Sequence, residues 1–136
     1  APDGAFPQKA IERLKVLGRW LSKHGEAVYG DVDRIEGRLE WMPAGNWTLK
    51  GNNAYFWCSR WVGQELVIGG FQTKVQRVFC LTTGQPVNFR QSEKRLLLSG
   101  LPARNPDSEA GITVFRLEFN RKPLQKLGPC CQVIDG

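Results

Sequence analysis

The sequence predicts a mainly β fold, an antiparallel β-sandwich preceded by one N-terminal α-helix. Up to His24 the apolar residues recur at helical spacing, and past the seam Gly25-Glu26-Ala27-Val28-Tyr29-Gly30 the pattern becomes almost entirely that of strands. Beyond the seam, short apolar runs alternate with turn-forming residues at intervals of roughly ten positions, with no helix-period segment between them. Strands that follow one another without intervening helices pair antiparallel, in a sandwich or a barrel, and the sandwich is preferred.

The helix comes first. Ile11, Leu14, Leu17 and Leu21 lie three and four positions apart, flanked by Ala10 and Trp20, and form one apolar stripe. Lys9, Glu12, Arg13, Lys15, Arg19 and Lys23 occupy the opposite face. Pro7 suits the first turn, where its missing N–H has no intrahelical partner, and Gly25 suits a left-handed closing position. The expected span is Pro7 to Lys23. One amphipathic helix is not a domain, so the stripe is covered by the strand region or by something outside this chain.

The strands follow in order. Trp47-Thr48-Leu49-Lys50, the turn Gly51-Asn52-Asn53 and the aromatic run Ala54 to Trp61 read as a hairpin. Glu65-Leu66-Val67-Ile68 stops at Gly69-Gly70, and Lys74 to Leu81 stops near Thr83-Gly84. Pro86 to Arg90 and Arg95 to Leu98 flank the polar turn Gln91-Ser92-Glu93-Lys94. After the proline-rich loop Leu101 to Asp107, Ile112 to Phe119 alternates apolar and polar residues over its second half, which predicts one buried and one wet face.

Composition narrows the function classes. With 136 residues, 41% hydrophobic and 24% charged, the chain is long enough for one principal domain with a true core. The net charge of +6 comes from 19 basic residues scattered along the chain, whereas phosphate tracking needs clustered cations, so no nucleic-acid partner is expected. No apolar stretch approaches the length of a membrane span, and the opening Ala-Pro-Asp-Gly reads as a processed, cut or engineered start. Of the four cysteines, Cys58 and Cys80 lie in strand-like runs and Cys130-Cys131 are adjacent. There is no Cys-x-x-Cys, and the single histidine, His24, lies far from every cysteine in sequence, so neither a metal site nor a cofactor is expected. Cys58 and Cys80 read first as small buried hydrophobes and second as a disulfide pair.

The residues resemble a known family at this point. Gly4 to Gly30, including the Pro-Asp-Gly opening, Leu17-Gly18-Arg19-Trp20-Leu21 and Gly25-Glu26-Ala27-Val28-Tyr29-Gly30, resembles the last helix of the catalytic barrel of α-L-fucosidases of glycoside hydrolase family 29, with its exit into the C-terminal domain. Trp47-Thr48-Leu49-Lys50-Gly51-Asn52, Arg60-Trp61, Glu65 to Gly70, Lys74-Val75, Thr83 to Val87, Gly100-Leu101-Pro102-Ala103 and Phe115 to Phe119 are similar in order and spacing to that family's C-terminal β-sandwich. The resemblance divides the chain into residues 1–30, the last barrel helix and junction; 31–123, the sandwich; and 124–136, a C-terminal tail. It implies an accessory domain that supports a catalytic (β/α)-barrel and shares in shaping the substrate cleft. The implied parent removes terminal α-L-fucose from fucosylated glycans with retention, through two carboxyl groups about 5 Å apart. Both catalytic positions of the family lie upstream of the match, so no catalytic residue is carried over and the chain alone is expected to be inactive. The family also implies an exported parent, whether periplasmic, secreted or lysosomal, and leaves oligomerisation open.

Read residue by residue, the chain nominates no catalytic carboxylate pair. Glu12, Glu93, Asp107, Glu109 and Glu118 fit a surface role, and Glu26 fits a hydrogen-bonding post at the turn between domains better than a buried acid of raised pKa. Ser22 and His24 lack an orienting acid. Asp3 lies on a loop after a barrel strand in the implied parent, near the fucose pocket. Trp41 and Trp47 are the carbohydrate-platform candidates among five tryptophans, with Trp41 in the less regular stretch Met42 to Gly45. Trp57 and Trp61 are expected on one strand face with Tyr55 and Ser59, in packing or docking. Two other classes stand beside the accessory domain: an autonomous carbohydrate-binding module and a purely structural or oligomerising domain.

Overall fold

In the computed structural model, residues 8–28, 36–37, 45–93 and 95–125 are described. Helix α1 spans Gln8–His24 and continues into one 3₁₀ turn, Gly25–Ala27. The strands are β1 (Glu36–Gly37), β2 (Gly45–Lys50), β3 (Asn53–Cys58), β4 (Leu66–Gly69), β5 (Val75–Cys80), β6 (Gln85–Pro86), β7 (Asn88–Gln91), β8 (Arg95–Ser99), β9 (Thr113–Phe119) and β10 (Leu124–Gln125). Two antiparallel sheets form the body: five strands in the order β2-β3-β9-β5-β6, and three in the order β4-β8-β7. A two-residue parallel pairing joins β1 to β10, Glu36 opposite Leu124. The mainly β sandwich with a leading helix is therefore the architecture.

The core lies between the sheets. Leu49, Ala54, Phe56, Cys58, Val78, Cys80, Phe115 and Leu117 of the larger sheet meet Leu66, Ile68, Leu96 and Leu98 of the smaller, with Phe71 and Leu101 from connecting loops. Each large side chain buried there contributes roughly 1.5–3 kcal/mol relative to exposure. The β2–β3 hairpin turns through Gly51-Asn52, where Gly51 adopts a φ of 61°, a conformation that glycine enters without a Cβ penalty.

Four local expectations are corrected. The helix ends at His24, within two residues of the expected end, but Gly25 is not left-handed; it opens the 3₁₀ turn, because the side chain of His24 is held by the sandwich and the chain continues inward to bury Ala27. The segment read as one strand from Pro86 to Arg90 is two. β6 pairs with β5 in one sheet and β7 with β8 in the other, so the chain changes sheets at Val87. The aromatic strand stops at Cys58, and the chain bends at Ser59-Arg60, which carries Trp61 onto the inner core instead of the face of Tyr55 and Trp57. Finally, β9 is not wet along its whole outer face, since Val114 is fully buried beneath the helix.

Leu124, the first residue assigned to the tail, is tied in by backbone: its N–H donates to Thr73 Oγ1 at 3.0 Å and its carbonyl accepts from Gln72 N at 2.8 Å. Pro7, Cys130 and Cys131 lie outside the described residues.

Candidate functional site at the helix–sandwich junction

The outer face of the larger sheet alternates with the core face, so Tyr55 and Trp57 of β3, Val114, Arg116 and Glu118 of β9 and Arg77 and Phe79 of β5 share it. The C-terminal turns of α1 cover one end of this face. Trp20 and Ala27 are buried against Tyr55, Leu81 and Val114, with Leu21, Trp57, Phe79 and Ile112 at the margin. Trp20 lies 5.2 Å from the Trp57 ring, and its indole Nε1 donates to the carbonyl of Ile112 at 2.9 Å. Trp57 Nε1 donates to Thr48 Oγ1 at 2.9 Å, and that hydroxyl donates onward to Ala27 O at 3.2 Å.

His24 is wholly buried. Its Nδ1 lies 2.8 Å from Trp20 O and its Nε2 2.6 Å from Thr82 Oγ1. A carbonyl can only accept, so Nδ1 carries the proton and Nε2 accepts from the Thr82 hydroxyl. Thr82 Oγ1 in turn accepts from Val114 N at 3.3 Å. Burial holds the His24 pKa below the ordinary 6.5, against the raising effects of the Trp20 carbonyl and Asp107.

A polar network covers the rest of the face. Tyr55 Oη donates to Glu26 Oε2 at 2.8 Å, and Arg116 Nη1 donates to both Glu26 oxygens at 3.0 and 2.9 Å. Arg116 Nε reaches Glu118 Oε2 at 3.1 Å, and Arg77 Nη2 reaches Glu118 Oε1 at 2.7 Å. The guanidinium of Arg116 also lies 5.0 Å over the Phe79 ring. Burial first, then the bond to Glu26, pushes the Tyr55 phenol up to about 12. At the edge, Arg19 pairs with Glu109 across exposed surface. Glu26 is thus a hydrogen-bonding post, as its position suggested, and Glu118 is ion-paired at the half-buried side of its strand.

The remaining nominated residues are dispersed. Asp3 and Trp41 lie outside the described residues. Trp47 is half-buried on the inner face, its ring 4.8 Å from Phe56 and 5.3 Å from Phe71. Ser22 Oγ donates to Arg19 O within the helix and does not meet His24. Cys58 and Cys80 are free buried thiols. They stand on either side of β9, opposite Thr113 and Phe115. Two strand spacings put them about 10 Å apart, beyond the roughly 4.4–6.8 Å between disulfide-linked Cα atoms. Burial pushes the Cys58 thiol up to about 11. Among the described residues no three His, Cys, Asp or Glu side chains gather as metal ligands, and no helix is long and apolar enough to cross a membrane.

What the junction leaves uncovered matters as much. Leu14 and Leu17 are 58% and 50% exposed, and Ile11 and Val16 are partly buried. The helix is docked by its last two turns while the stripe above them faces outward.

A helix-led antiparallel sandwich with its helix half-covered is the class that fold and junction define. Solved structures that share it include fucosidases. The α-L-fucosidase isoenzyme 1 from Paenibacillus thiaminolyticus matches with TM-score 0.73 and 24% identity over 86% of this chain and 28% of that one. The α-L-fucosidase from Vibrio sp. strain EJY3 matches with TM-score 0.74 and 18% identity over 96% of this chain and 24% of that one. An α-fucosidase from Thermotoga maritima, in complex with a mechanism-based inhibitor, matches with TM-score 0.62 and 25% identity over 85% and 28%. No protein-family model matches the chain, and no curated protein matches it in sequence. The fold is that of one part, about a quarter by length, of the α-L-fucosidases of glycoside hydrolase family 29.

Proposed function

We propose that the chain is the C-terminal accessory domain of an α-L-fucosidase, with residues 1–30 the last barrel helix and junction, 31–123 the sandwich and 124–136 a tail. The observation that carries this reading is the match to fucosidases over most of this chain but only about a quarter of theirs; 96% coverage in one case supports including the helix. The outward stripe of Leu14 and Leu17 supports it, since a last barrel helix needs one face for its neighbouring barrel elements and one for the sandwich.

On this reading the junction transmits position. Trp20, His24 and Glu26 fasten the helix to the sheet, so a barrel built onto the helix is held in one orientation by the sandwich. Retaining hydrolysis of terminal α-L-fucose belongs to that barrel, and the sandwich contributes support and part of the cleft wall. The purified 136-residue chain is expected to release no chromophore from an aryl α-L-fucoside. Turnover that persists through repurification would overturn the assignment of catalysis to the barrel. Native mass spectrometry of the protein from its source checks the partner: a companion barrel, covalent or separate, is expected, and a fucosidase-free monomer counts against the proposal.

A further inference from the structure

A pocket of about 210 Å³ opens where the two sheets meet at the end of the sandwich. It is formed by the sheet change at Val87, the end of β8 and the loop after β3, so it depends on the crossing of strands between sheets. Its apolar wall includes Trp61, which stacks nearly parallel to the fully buried Phe115, with ring centroids 6.1 Å apart and planes at 16°. Trp61 Nε1 donates to Pro102 O at 2.9 Å, which fixes the ring in place and satisfies its polar edge, leaving its faces apolar.

Gln85, Asn88 and Ser99 stand at the polar side of the pocket, and among the described residues their side-chain polar groups have no protein hydrogen-bond partner. Among the described residues no charged side chain lines it. Its volume is below the roughly 300–1,000 Å³ of sites for drug-sized ligands, which limits the occupant to about one ring. A fixed aromatic wall matches the C–H face of a sugar, and amides and a hydroxyl without charge match its hydroxyl groups. An anionic ligand finds no cation among the described lining residues, and a purely apolar one leaves the amides unused.

We propose that this pocket binds a single neutral sugar ring, with Trp61 as the stacking wall and Gln85, Asn88 and Ser99 as hydroxyl partners. The proposal does not depend on a catalytic barrel. It also moves the carbohydrate contact away from Trp47, whose ring is engaged with Phe56 and Phe71.

The test is a ¹H–¹⁵N titration of the 136-residue chain with L-fucose, D-galactose, the trisaccharide 2′-fucosyllactose and, as a charged control, glucose 6-phosphate. Saturable shifts of the Trp61 indole and the Gln85 and Asn88 side-chain amides are expected with at least one neutral sugar, at a Kd on the order of millimolar. Tighter binding of the trisaccharide identifies a glycan terminus as the source of the ring, and equal binding identifies the free sugar. Asn88→Ala is expected to weaken binding about three- to tenfold, as the loss of one hydrogen bond predicts, and Trp61→Ala to abolish it. Asn88 is exposed at a strand end, so its variant folds even where Trp61→Ala does not. No saturable shift with any neutral sugar, shifts centred on Trp47, binding led by the phosphate, or unchanged affinity in Asn88→Ala each overturns the proposal.

Discussion

His24, in the last turn of α1, places Nε2 2.6 Å from the hydroxyl of Thr82, 58 positions away in the turn after β5. Its other nitrogen donates to Trp20 O within the helix, so one wholly buried imidazole joins helix and sandwich, and it does so as the neutral tautomer. Protonation adds an N–H at Nε2, removes the acceptor used by the Thr82 hydroxyl and charges a buried side chain. The sign follows from burial, which depresses the folded pKa below 6.5. Between that lowered value and 6.5 the unfolded chain binds the proton and the folded chain does not, so stability drops as pH drops. This contribution is fully present above about pH 6.5 and is lost as pH falls through the folded value. Urea unfolding of the wild type at pH 7.5 and 5.5 is expected to show a larger drop in midpoint than His24→Gln shows. An equal drop in both proteins would remove His24 from the account.

Tyr55 reports on the other half of the junction. The chain contains two tyrosines, and Tyr55 titrates at about 12 because burial and Glu26 both oppose the phenolate. Its folded pKa lies above the ordinary 10, so the stability it contributes is intact below pH 10 and declines as pH rises toward 12. Alkaline difference spectroscopy is expected to show one phenol ionising late, and Tyr55→Phe to delete that step. Glu26→Ala leaves Arg116 half-buried with one carboxylate partner in place of two, and is expected to cost about 1–3 kcal/mol in chemical denaturation. Glu26→Gln, which keeps an acceptor for Tyr55, is expected to cost less.

Gly45 supplies a backbone test of the β2–β3 pairing. It is buried opposite Cys58, and a Cβ at this position would fall onto the carbonyl of Trp57. The obstacle is backbone inside a sheet, which does not yield as the tip of a side chain does. Gly45→Ala is expected to lower stability by about 1–3 kcal/mol through displacement of the strand. An Ala variant with an unchanged unfolding midpoint would show that β2 does not approach β3 so closely.

Much of this molecule is legible in one dimension because hydrophobic period reports local geometry directly. The helix from Gln8, the Gly51-Asn52 hairpin and most strand positions follow from it, and Glu26 could be read as a post because it sits between a helix end and an apolar strand-like run. What stays hidden depends on tertiary partners. Val114 sits on the polar side of an alternating strand, yet it is buried because Trp20, from 94 positions earlier, covers it. Val87 marks a change of sheet that no propensity encodes, since both β6 and β7 are extended. The bond between His24 and Thr82 has no local signal beyond a histidine in a last helical turn, and the pocket at Trp61 exists only because strand β3 ends three residues before it.

The stripe on α1 separates two roles of one helix. Trp20 is buried against Tyr55 and Val114, so Trp20→Ala removes a ring from a packed site and is expected to cost about 3–5 kcal/mol. Leu14 and Leu17 touch little of the sandwich, so Leu14→Gln with Leu17→Gln is expected to change the unfolding free energy of this chain by less than about 1 kcal/mol. The proposed accessory role adds a second expectation that solvent exposure alone does not. If a barrel covers this stripe in the parent fucosidase, the same double substitution leaves two amides in an apolar contact and lowers the thermal midpoint of the whole enzyme by several degrees. Measured side by side, a neutral effect in the 136-residue chain and a destabilising one in the parent identify the stripe as an interdomain surface. A neutral effect in both would place those leucines in solvent and remove the main physical support for the boundary at residue 30.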